Sequence, residues 1–589
     1  MGQRLEDYAL LSDCHSSALV GKNGSIDWLG FPCFDSAACF ASLLGTEENG
    51  RWLICPQETF NTKRKYVEDS VVLETTFYTD QGSVKLTDCM LKDDKDPTLV
   101  RIVEGLEGSV EMNMDLAIRF EYGSIVPWVR RNDGNTGIHA IAGPEALVLY
   151  SPVKLRGKNF RTCATFTINA GDKKSFELMW YPSHKSIPPK IENPEEHVQA
   201  TVENWRSWLK RCHYKGFDEL SVKRSLLTLK SLTYAPTGAI IAAPTTSLPE
   251  EIGGTRNWDY RFSWIRDSSF ALYALIKGGH EEEALRWKEW LLRAVAGTPS
   301  QVNIMYGIRG ERRLTELELH WLPGYENSKP VRIGNAAYNQ FQLDVFGELI
   351  LTAHLGRKNG IAISEDNWRI EQKMVKYVCE HWQDPDEGIW EVRGGKRHFT
   401  HSKVMAWVAL EYATKSAKNF NLPGEIEKWE KVRDEIHKDI CEKGFDQELN
   451  AFVQSYGSKE LDASLLMMAH VKFLPITDYR IIGTVEAIQK KLTRDGHVLR
   501  YLTEKKVDGL PGSEGSFIAC SFWLVDNLRM MGRKDEAMEL YRKIQSIKND
   551  VGLYAEEYAP ELKRMVGNFP QAFTHIAEVV SAMGFQEME

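Results

Sequence analysis

Hydrophobic residues follow two different periods along the chain, and the first is that of β-strands. Up to about residue 190, short runs of alternating apolar and polar residues are separated by turn residues. In residues 108–123, GSVEMNMDLAIRFEYG, apolar residues recur at every second position, as in a half-buried strand. Asn23-Gly24 lies between two apolar stretches, and so does Asp80-Gln81-Gly82, which predicts two β-hairpins. We therefore expect an antiparallel β domain built of two packed sheets.

From about residue 195 the apolar residues recur at helical spacing instead. The stretch PEEHVQATVENWRSWLKRC begins the change with an acidic first turn, and twelve further segments follow it to the end of the chain, thirteen in all. The loops between them carry Gly, Pro and aromatic residues, and no fixed-length repeat is visible, which favours a closed helical barrel over a solenoid. We predict a β-sandwich domain over residues 1–195, a helical linker over 196–230 and a catalytic helical barrel over 231–589. A closed barrel collects its loops at one mouth, where we expect a pocket.

Composition narrows the classes of partner. The formal net charge of −9 argues against a nucleic acid or an anionic membrane as the main partner. The chain has no run of about 18 apolar residues, so no membrane span is expected. It begins with no signal-peptide pattern, and its ten cysteines form no C-x-x-C pair that would indicate a zinc or redox motif. We expect a cytoplasmic protein with reduced thiols.

One stretch, RNWDYRFSWIRDSS over residues 256–269, mixes aromatic and charged side chains more densely than a core or a surface normally does. A sugar site needs both types, because charged groups hydrogen-bond hydroxyls and aromatic rings pack on C–H faces. The seventeen tryptophans of the chain suit such a site, and they equally suit a large aromatic core. The stretch is thus a candidate sugar site, with a buried structural network as the alternative.

Two further loops carry candidate carboxyl groups. Glu391 follows Trp390, and a carboxyl group beside an indole is partly desolvated, which raises its pKa as a general acid requires. The alternative is a structural ion pair with Arg393 or Lys396. In the second loop, Glu556 and Glu557 stand between Tyr554 and Tyr558; in an extended loop neighbouring side chains point apart, so one of them would face a pocket as a general base.

For Glu556 and Glu557 the alternative is that they belong to a solvated acidic loop. If one carboxyl from each loop reaches the same pocket, the two together meet the requirement for hydrolysis of a glycosidic bond.

The motifs around these residues resemble those of one enzyme family over nearly the whole chain. They include LEDYALLSD near the start, then GGTRNWDYRFSWIRDSSFAL, GIWEVRGGKRHFTHSKVMAWVAL, GSEGSFIACSFWLVDNL and EEYAP…GNFPQAFTHIA. In this order they resemble glycoside hydrolase family 15, the glucoamylase and trehalase family. The resemblance implies an N-terminal antiparallel β-sandwich packed on a C-terminal (α/α)6 barrel. It also implies an inverting, exo-acting α-glucoside hydrolase.

The same resemblance implies roles for individual residues. Glu391 is the general acid and Glu556 the general base, with Glu557 left open as the alternative base. Substrate contacts are implied for Trp264, Arg266, Asp267, Trp390, Arg393 and Lys403. Glu514 falls on a family motif without a firm role. An inverting pair leaves room for a water molecule, so we expect the two carboxyl groups roughly 6.5–9.5 Å apart. The chemistry requires no metal ion and no organic cofactor.

The substrate is expected to be a small α-glucoside or an α-glucan. Trehalose is favoured, because the chain shows no export signal, and maltodextrin or isomaltose is the alternative. Two further readings are a disaccharide phosphorylase, which would use phosphate as the nucleophile, and a sugar-binding protein with a degenerate site. The sequence does not decide whether the chain forms a homo-oligomer. The polar stretch of residues 307–330 is a candidate for the loop that covers the leaving-group side of the pocket.

Overall fold

A computed structural model describes residues 2–92, 97–132, 136–361 and 364–586. Its β-strands are β1 Tyr8–Ser12, β2 Ser17–Gly21, β3 Ser25–Gly30, β4 Ala38–Phe40, β5 Arg51–Pro56, β6 Asn61–Tyr66, β7 Leu73–Thr79, β8 Gly82–Met90, β9 Thr98–Ala117, β10 Trp128–Arg131, β11 Gly137–Ala142, β12 Glu145–Tyr150, β13 Arg156–Lys158, β14 Arg161–Asn169, β15 Lys173–Pro182, β16 Thr246–Pro249, β17 Asn257–Asp259, β18 Ser263–Trp264, β19 Met305–Tyr306, β20 Leu317–Glu318, β21 Arg332–Ile333, β22 Phe445–Asp446, β23 Ala451–Phe452, β24 Thr493–Arg494, β25 His497–Val498, β26 Ser516–Phe517, β27 Glu557–Ala559 and β28 Arg564–Val566.

Strands β1 to β15 form the predicted antiparallel β domain, joined as one 15-stranded sheet. The long strand β9 connects its two parts. The first half of β9 pairs with β8 and β15, and the second half pairs with β5 and β14. The two sheets that the sequence predicts are therefore continuous through one strand, and alternate apolar residues of β9 such as Val110, Met112 and Met114 are fully buried.

Both predicted hairpins are present. β2 pairs with β3 across Asn23-Gly24, and β7 pairs with β8 around the turn that ends at Gly82. Gly24 has a φ of +80°, and a Cβ there would stand 2.3 Å from the carbonyl oxygen of Ile54. This turn therefore requires glycine both for its conformation and for the close approach of the neighbouring strand.

The helices are α1 Phe120–Gly123, α2 Pro194–Leu209, α3 Glu219–Ser231, α4 Ser268–Lys277, α5 Glu281–Val295, α6 Asp344–Lys358, α7 Glu365–His381, α8 Thr400–Asn419, α9 Ile426–Lys443, α10 Met467–His470, α11 Tyr479–Lys491, α12 Ile518–Met530, α13 Lys534–Gln545 and α14 Ala572–Gln586. All thirteen segments with helical spacing contain a helix, α2 to α14. The segment of α10 is mostly a 3-10 turn, Ala463–Leu466, followed by a single α-turn.

Six of these helices form a closed inner ring. α4, α6, α8, α10 with its 3-10 turn, α12 and α14 each contact the next, and α14 contacts α4. α8, α12 and α14 are buried along almost their whole length, as inner helices must be, whereas α9 and α13 bury one stripe only. The outer layer consists of α3, α5, α7, α9, α11 and α13. This is the (α/α)6 barrel.

The chain between the two domains contains α2 and α3. α3 packs against α14 as an outer barrel helix, although the sequence placed residues 196–230 in a linker. The division of the chain at residues 195 and 230 remains a prediction. Within the described ranges, no helix has both the length and the apolar character that crossing a bilayer demands.

Polar contacts join the β domain to the barrel. The indole of Trp28 donates to the carbonyl of Pro244 at 2.8 Å, and the guanidinium of Arg261 donates to the carbonyl of Ser36 at 2.9 Å. Arg64 forms an ion pair with Asp550 at 2.7 Å. The loops of the barrel mouth are thus held in part by the β domain.

Candidate active site

The candidate residues lie in loops that precede inner helices. Residues 264–267 lead into α4, Glu391 precedes α8, and Glu556 precedes α14. Since inner helices of an α/α barrel run parallel, these loops meet at one end of the barrel. A cavity of about 380 Å³ lies there, lined by Glu250, Arg256, Trp258, Tyr260, Asn335, Ala337, Trp390, Glu391, Arg393, Arg500, Tyr501 and Leu510.

Glu391 is held at the cavity by two side chains from the RNWDYRFSWIRDSS stretch. The indole of Trp264 donates to Glu391 Oε1 at 2.7 Å, and Arg266 Nη1 lies 3.6 Å from the same oxygen. Burial raises the pKa of the Glu391 carboxyl, and Arg266 and Trp264 oppose this shift without cancelling it. Glu391 also has a φ of +58°, which is uncommon for a residue other than glycine. The geometry presents a partly desolvated, protonatable carboxyl group to the cavity.

Arg266, which contacts Glu391, forms an ion pair with its neighbour Asp267. Arg266 Nε donates to Asp267 Oδ1 at 2.8 Å, and both side chains are about a tenth exposed. Burial raises the pKa of Asp267, and Arg266 counteracts it. Arg266 also packs over the ring of Phe573 on α14, 5.1 Å from its centroid. The pair therefore joins α4 and α14 beside the candidate acid.

The two predicted tryptophans have different positions. Trp390 lines the cavity, and its indole donates to Asp462 Oδ1 at 2.8 Å, which fixes the ring. Trp264 is 3% exposed and packs edge-on against Tyr260, with ring centroids 5.1 Å apart. Of the two, Trp390 can contact a ligand directly, whereas Trp264 holds the carboxyl group of Glu391.

Glu556 and Glu557 are both fully buried. Glu556 Oε2 accepts from the backbone N–H of Asn568 at 3.2 Å, and Glu557 Oε2 accepts from that of Gly515 at 2.8 Å. One oxygen of each lies within 4.8 Å of the other and of an oxygen of Glu250. Our expectation that the neighbours point apart was wrong, because β27 begins at Glu557 and the chain turns between the two residues.

Burial raises the pKa of both carboxyl groups, but the charges around the two groups differ. For Glu556 the effect of burial is opposed by Arg500 and by the hydroxyl of Tyr260. For Glu557 the carboxyl groups of Glu250 and Glu514 add to burial, so its pKa lies well above the ordinary value. The surroundings favour the ionised form more strongly at Glu556 than at Glu557.

Arg500 is the central residue that the sequence did not identify. Its guanidinium donates to Glu514 Oε1 at 3.0 Å and to Glu250 Oε2 at 3.2 Å, and it lies 3.7 Å from Glu557 Oε1. It also packs over the ring of Trp390, 5.4 Å from the centroid. Glu514, whose motif had no assigned role, is therefore a partner of Arg500.

Glu250 was also missed. It lines the cavity and accepts from the indole of Trp258 at 3.1 Å. Burial raises its pKa to about 8, against the opposing charge of Arg500. Its surroundings in the sequence, TSLPE, gave no chemical signal, because its partners come from distant loops.

Arg393 and Lys403 have different environments. Arg393 lines the cavity, and its guanidinium donates to Glu316 Oε2 at 2.9 Å. Lys403 is buried on α8, and its ammonium group donates to the backbone carbonyl oxygens of Trp382 and Asp384 at 2.6 and 2.5 Å. Burial lowers the pKa of Lys403 to about 8. Its contacts fix the segment after α7 and do not reach the cavity lining.

The remaining charges of the RNWDYRFSWIRDSS stretch are buried and paired. Arg261 donates to both carboxylate oxygens of Asp259, at 2.9 and 2.7 Å, and Arg256 forms a 3.2 Å ion pair with Glu514. The stretch thus combines two functions: Arg256, Asp259 and Arg261 form buried ion pairs, and its last residues hold Glu391.

Comparison with known proteins bears on this arrangement. The family model described as "Glycosyl hydrolases family 15" matches residues 218–583. The chain belongs to this family. It is therefore a glycoside hydrolase, as the motifs predicted. A second model, "Trehalase-like, N-terminal", matches residues 1–175, which form most of the β domain.

Individual relatives agree with the family. The chain is 38% identical to a trehalase of Mycolicibacterium smegmatis, over 97% of this chain and 90% of the relative. It is 33% identical to a trehalase of Thermoplasma volcanium, over 99% of this chain and 94% of the relative. In structure it resembles a bacterial glucoamylase complexed with acarbose, with a TM-score of 0.75 at 14% identity, over 99% of this chain and 94% of that one. The last likeness confirms the predicted fold.

Proposed function

We propose that this glycoside hydrolase cleaves trehalose by inverting, single-displacement hydrolysis. The observation that carries the proposal is the environment of Glu391. Its carboxyl group is desolvated at a cavity and receives one indole N–H and one guanidinium. Burial raises the pKa of this carboxyl group against the opposing effects of Arg266 and Trp264, and a raised pKa is what a general acid requires.

In this mechanism Glu391 donates its proton to the glycosidic oxygen, and the electron pair of the breaking bond goes to that oxygen. Glu556, ionised beside Arg500, takes a proton from a water molecule that attacks the anomeric carbon from the opposite face. Arg266 and Asp267 bind hydroxyl groups of the glucose that is attacked, and Trp390 packs on that sugar. The products are one β-glucose, inverted at the attacked carbon, and one glucose with its original configuration.

The choice of trehalose is supported by the curated relatives, which are trehalases across nearly the full length of this chain. We also propose a cytoplasmic location, because all ten cysteines lie in the described ranges and none forms a disulfide.

The test has two parts. Trehalose, maltose, isomaltose and maltoheptaose are each incubated with the enzyme, and glucose release is measured; we expect trehalose to be cleaved with the highest kcat/KM. Proton NMR during the first minutes should show β-glucose and α-glucose appearing together from trehalose, before mutarotation. An initial product of α-glucose alone contradicts inversion, and a preference for maltoheptaose contradicts the substrate. Glu391→Gln, purified identically, controls for contaminating activity.

A further inference from the structure

The backbone of residues 567–569 holds the candidate base Glu556. Asn568 bonds to it twice: its N–H donates to Glu556 Oε2 at 3.2 Å, and its carbonyl accepts from the backbone N–H of Glu556 at 3.0 Å. Gly567 has a φ of +75°, and a Cβ there would stand 2.7 Å from both Cβ and Oε2 of Glu556. Glycine at this position therefore allows the backbone to approach the carboxyl group closely.

The side chain of Asn568 is itself fixed at both ends. Its Oδ1 accepts from the hydroxyl of Thr245 at 2.9 Å, and its Nδ2 donates to the backbone carbonyl of Trp258 at 3.0 Å. Asn568 is 1% exposed and Thr245 is fully buried. A carbonyl can only accept a hydrogen bond, so the amide has a single satisfied orientation. It ties the backbone that holds Glu556 to the residue before β16 and to β17.

Both neighbours of Asn568 are bonded to the same part of the chain. The backbone N–H of Phe569 donates to the hydroxyl of Thr245 at 3.1 Å, and that of Gly567 donates to the carbonyl of Pro249 at 2.7 Å. The hydroxyl of Thr245 therefore serves as donor and acceptor at once. Because buried polar groups are costly to leave unpaired, other positions of residues 567–569 are disfavoured.

From these contacts we propose that Thr245 and Asn568 are positioning residues for the candidate base: Thr245 fixes the amide of Asn568, and the backbone of Asn568 fixes the carboxylate of Glu556. The inference rests on the proposed inverting hydrolysis with Glu556 as its base. Asn568 engages Oε2 alone, so Oε1 remains to take the proton of the attacking water. An error of about 1 Å in placing a catalytic group can cost about a hundredfold in rate, so this support should bear on kcat.

The bond from Asn568 also affects the protonation of Glu556. The backbone N–H favours the ionised carboxylate, so weakening this bond should raise the pKa of Glu556. Because a general base must be ionised, the acidic limb of the kcat/KM profile should then move to higher pH. The variants below retain the other charged and titratable groups around Glu556, which include Glu250, Tyr260, Arg266, Arg500 and Glu557.

Thr245→Val tests the proposal, because it removes the hydroxyl and keeps the shape of the side chain. We expect kcat on trehalose, per folded molecule, to fall at least about tenfold with KM within about twofold of wild type. The acidic limb should move to higher pH. Thr245→Ser keeps the hydroxyl and should restore most of kcat together with the wild-type limb. Asn568→Ala removes the amide but not the backbone bonds, and it should behave as Thr245→Val does.

Thr484→Val is the matched control. The hydroxyl of Thr484 also forms two bonds, donating to the carbonyl of Arg480 at 2.6 Å and accepting from the backbone N–H of Phe452 at 2.9 Å. Thr484 is 1% exposed and lies on α11 in the outer layer of the barrel. This variant should lower the thermal unfolding midpoint and leave kcat per folded molecule and the pH profile unchanged.

The proposal is overturned if Thr245→Val, like Thr484→Val, changes only the unfolding midpoint. If Thr245→Val does not fold, Asn568→Ala decides by the same criteria, and a failure of both variants to fold also overturns the proposal. If wild-type enzyme releases no glucose from trehalose, or if Glu556→Gln retains full turnover, the proposed function or its base has failed. That outcome is distinct, because it appears with Thr245 and Asn568 unchanged.

Discussion

Two aspartates of the RNWDYRFSWIRDSS stretch form similar ion pairs but should have opposite effects when they are changed to asparagine. Asp259 is fully buried and accepts two hydrogen bonds from the guanidinium of Arg261, one from the backbone N–H of Arg261 and one from that of Gly334. Asp259→Asn leaves the buried Arg261 without a counter-charge, at a cost of about 3–5 kcal/mol in the free energy of unfolding. Asp259 and Arg261 are bonded to each other and to the backbone of Gly334 and Ser36, so molecules that remain folded should keep most of their specific activity.

Asp267→Asn should instead lower the activity strongly and the stability only a little. Arg266 keeps Glu391 at 3.6 Å as a second partner, so the loss of stability should be about 1–2 kcal/mol. If Asp267 accepts a hydrogen bond from a glucose hydroxyl in the transition state, its loss costs about 1.5–3 kcal/mol, which is a roughly 10- to 150-fold fall in kcat/KM. The difference between the two variants follows from the partners that each arginine retains.

Guanidinium denaturation followed by tryptophan fluorescence gives the stability, and glucose release from trehalose gives kcat/KM. Asp80→Asn, at an exposed turn of the β domain, is the matched control and should change neither quantity. The reasoning is refuted if Asp267→Asn unfolds the protein as far as Asp259→Asn does, with activity that merely follows the folded fraction. In that case the whole stretch would be structural.

Three further expectations concern the proposed catalytic groups and Lys403. Glu556→Gln should abolish turnover while Glu557→Gln retains most of it, as measured by kcat on trehalose; the reverse result would assign the base to Glu557. Trp264→Phe removes a hydrogen bond that favours the ionised form of Glu391, so the pKa of Glu391 should rise. Because the acid must be protonated, the alkaline limb of the kcat/KM profile should then move to higher pH; a shift to lower pH contradicts the assignment. Lys403→Met should lower the thermal unfolding midpoint and leave KM unchanged, since Lys403 binds backbone carbonyls; a raised KM with unchanged stability would restore its role in substrate binding.

Most of the fold could be predicted from local sequence, because each element carries its own periodicity. The hairpin at Gly24 requires a turn that its two central residues already specify, and the helical segments from residue 195 onwards each bury an apolar face. The continuity of the β domain could not be predicted in this way. β9 pairs in both parts of the sheet, and whether its two halves share partners depends on strands far away in the chain.

At the site, local sequence identified residues near the cavity but not what each one does. Trp264 and Trp390 both follow from motifs, yet nothing in their neighbours shows that one holds a carboxyl group and the other lines the cavity. Lys403 occupies a motif and still points to backbone carbonyls, because the direction of a side chain on α8 depends on how the helix is rotated within the ring. Arg500 and Glu250 are 250 residues apart, and only the folded barrel brings them together.

The buried carboxyl groups around Arg500 explain why adjacent glutamates can have different roles. Glu250, Glu514, Glu556 and Glu557 share this guanidinium, and several negative charges in one buried cluster cannot all be accommodated, so protons must remain on some of them. Arg500 opposes the effect of burial on the pKa values of Glu250, Glu556 and Glu557. The charges of acidic neighbours add to burial at Glu250 and Glu557, whereas the hydroxyl of Tyr260 favours the ionised form of Glu556. Burial and acidic neighbours hold the pKa of Glu557 well above its ordinary value, and glutamine resembles a protonated glutamate in shape and charge. The tolerance expected for Glu557→Gln, and the loss expected for Glu556→Gln, follow from this division of protons within one cluster.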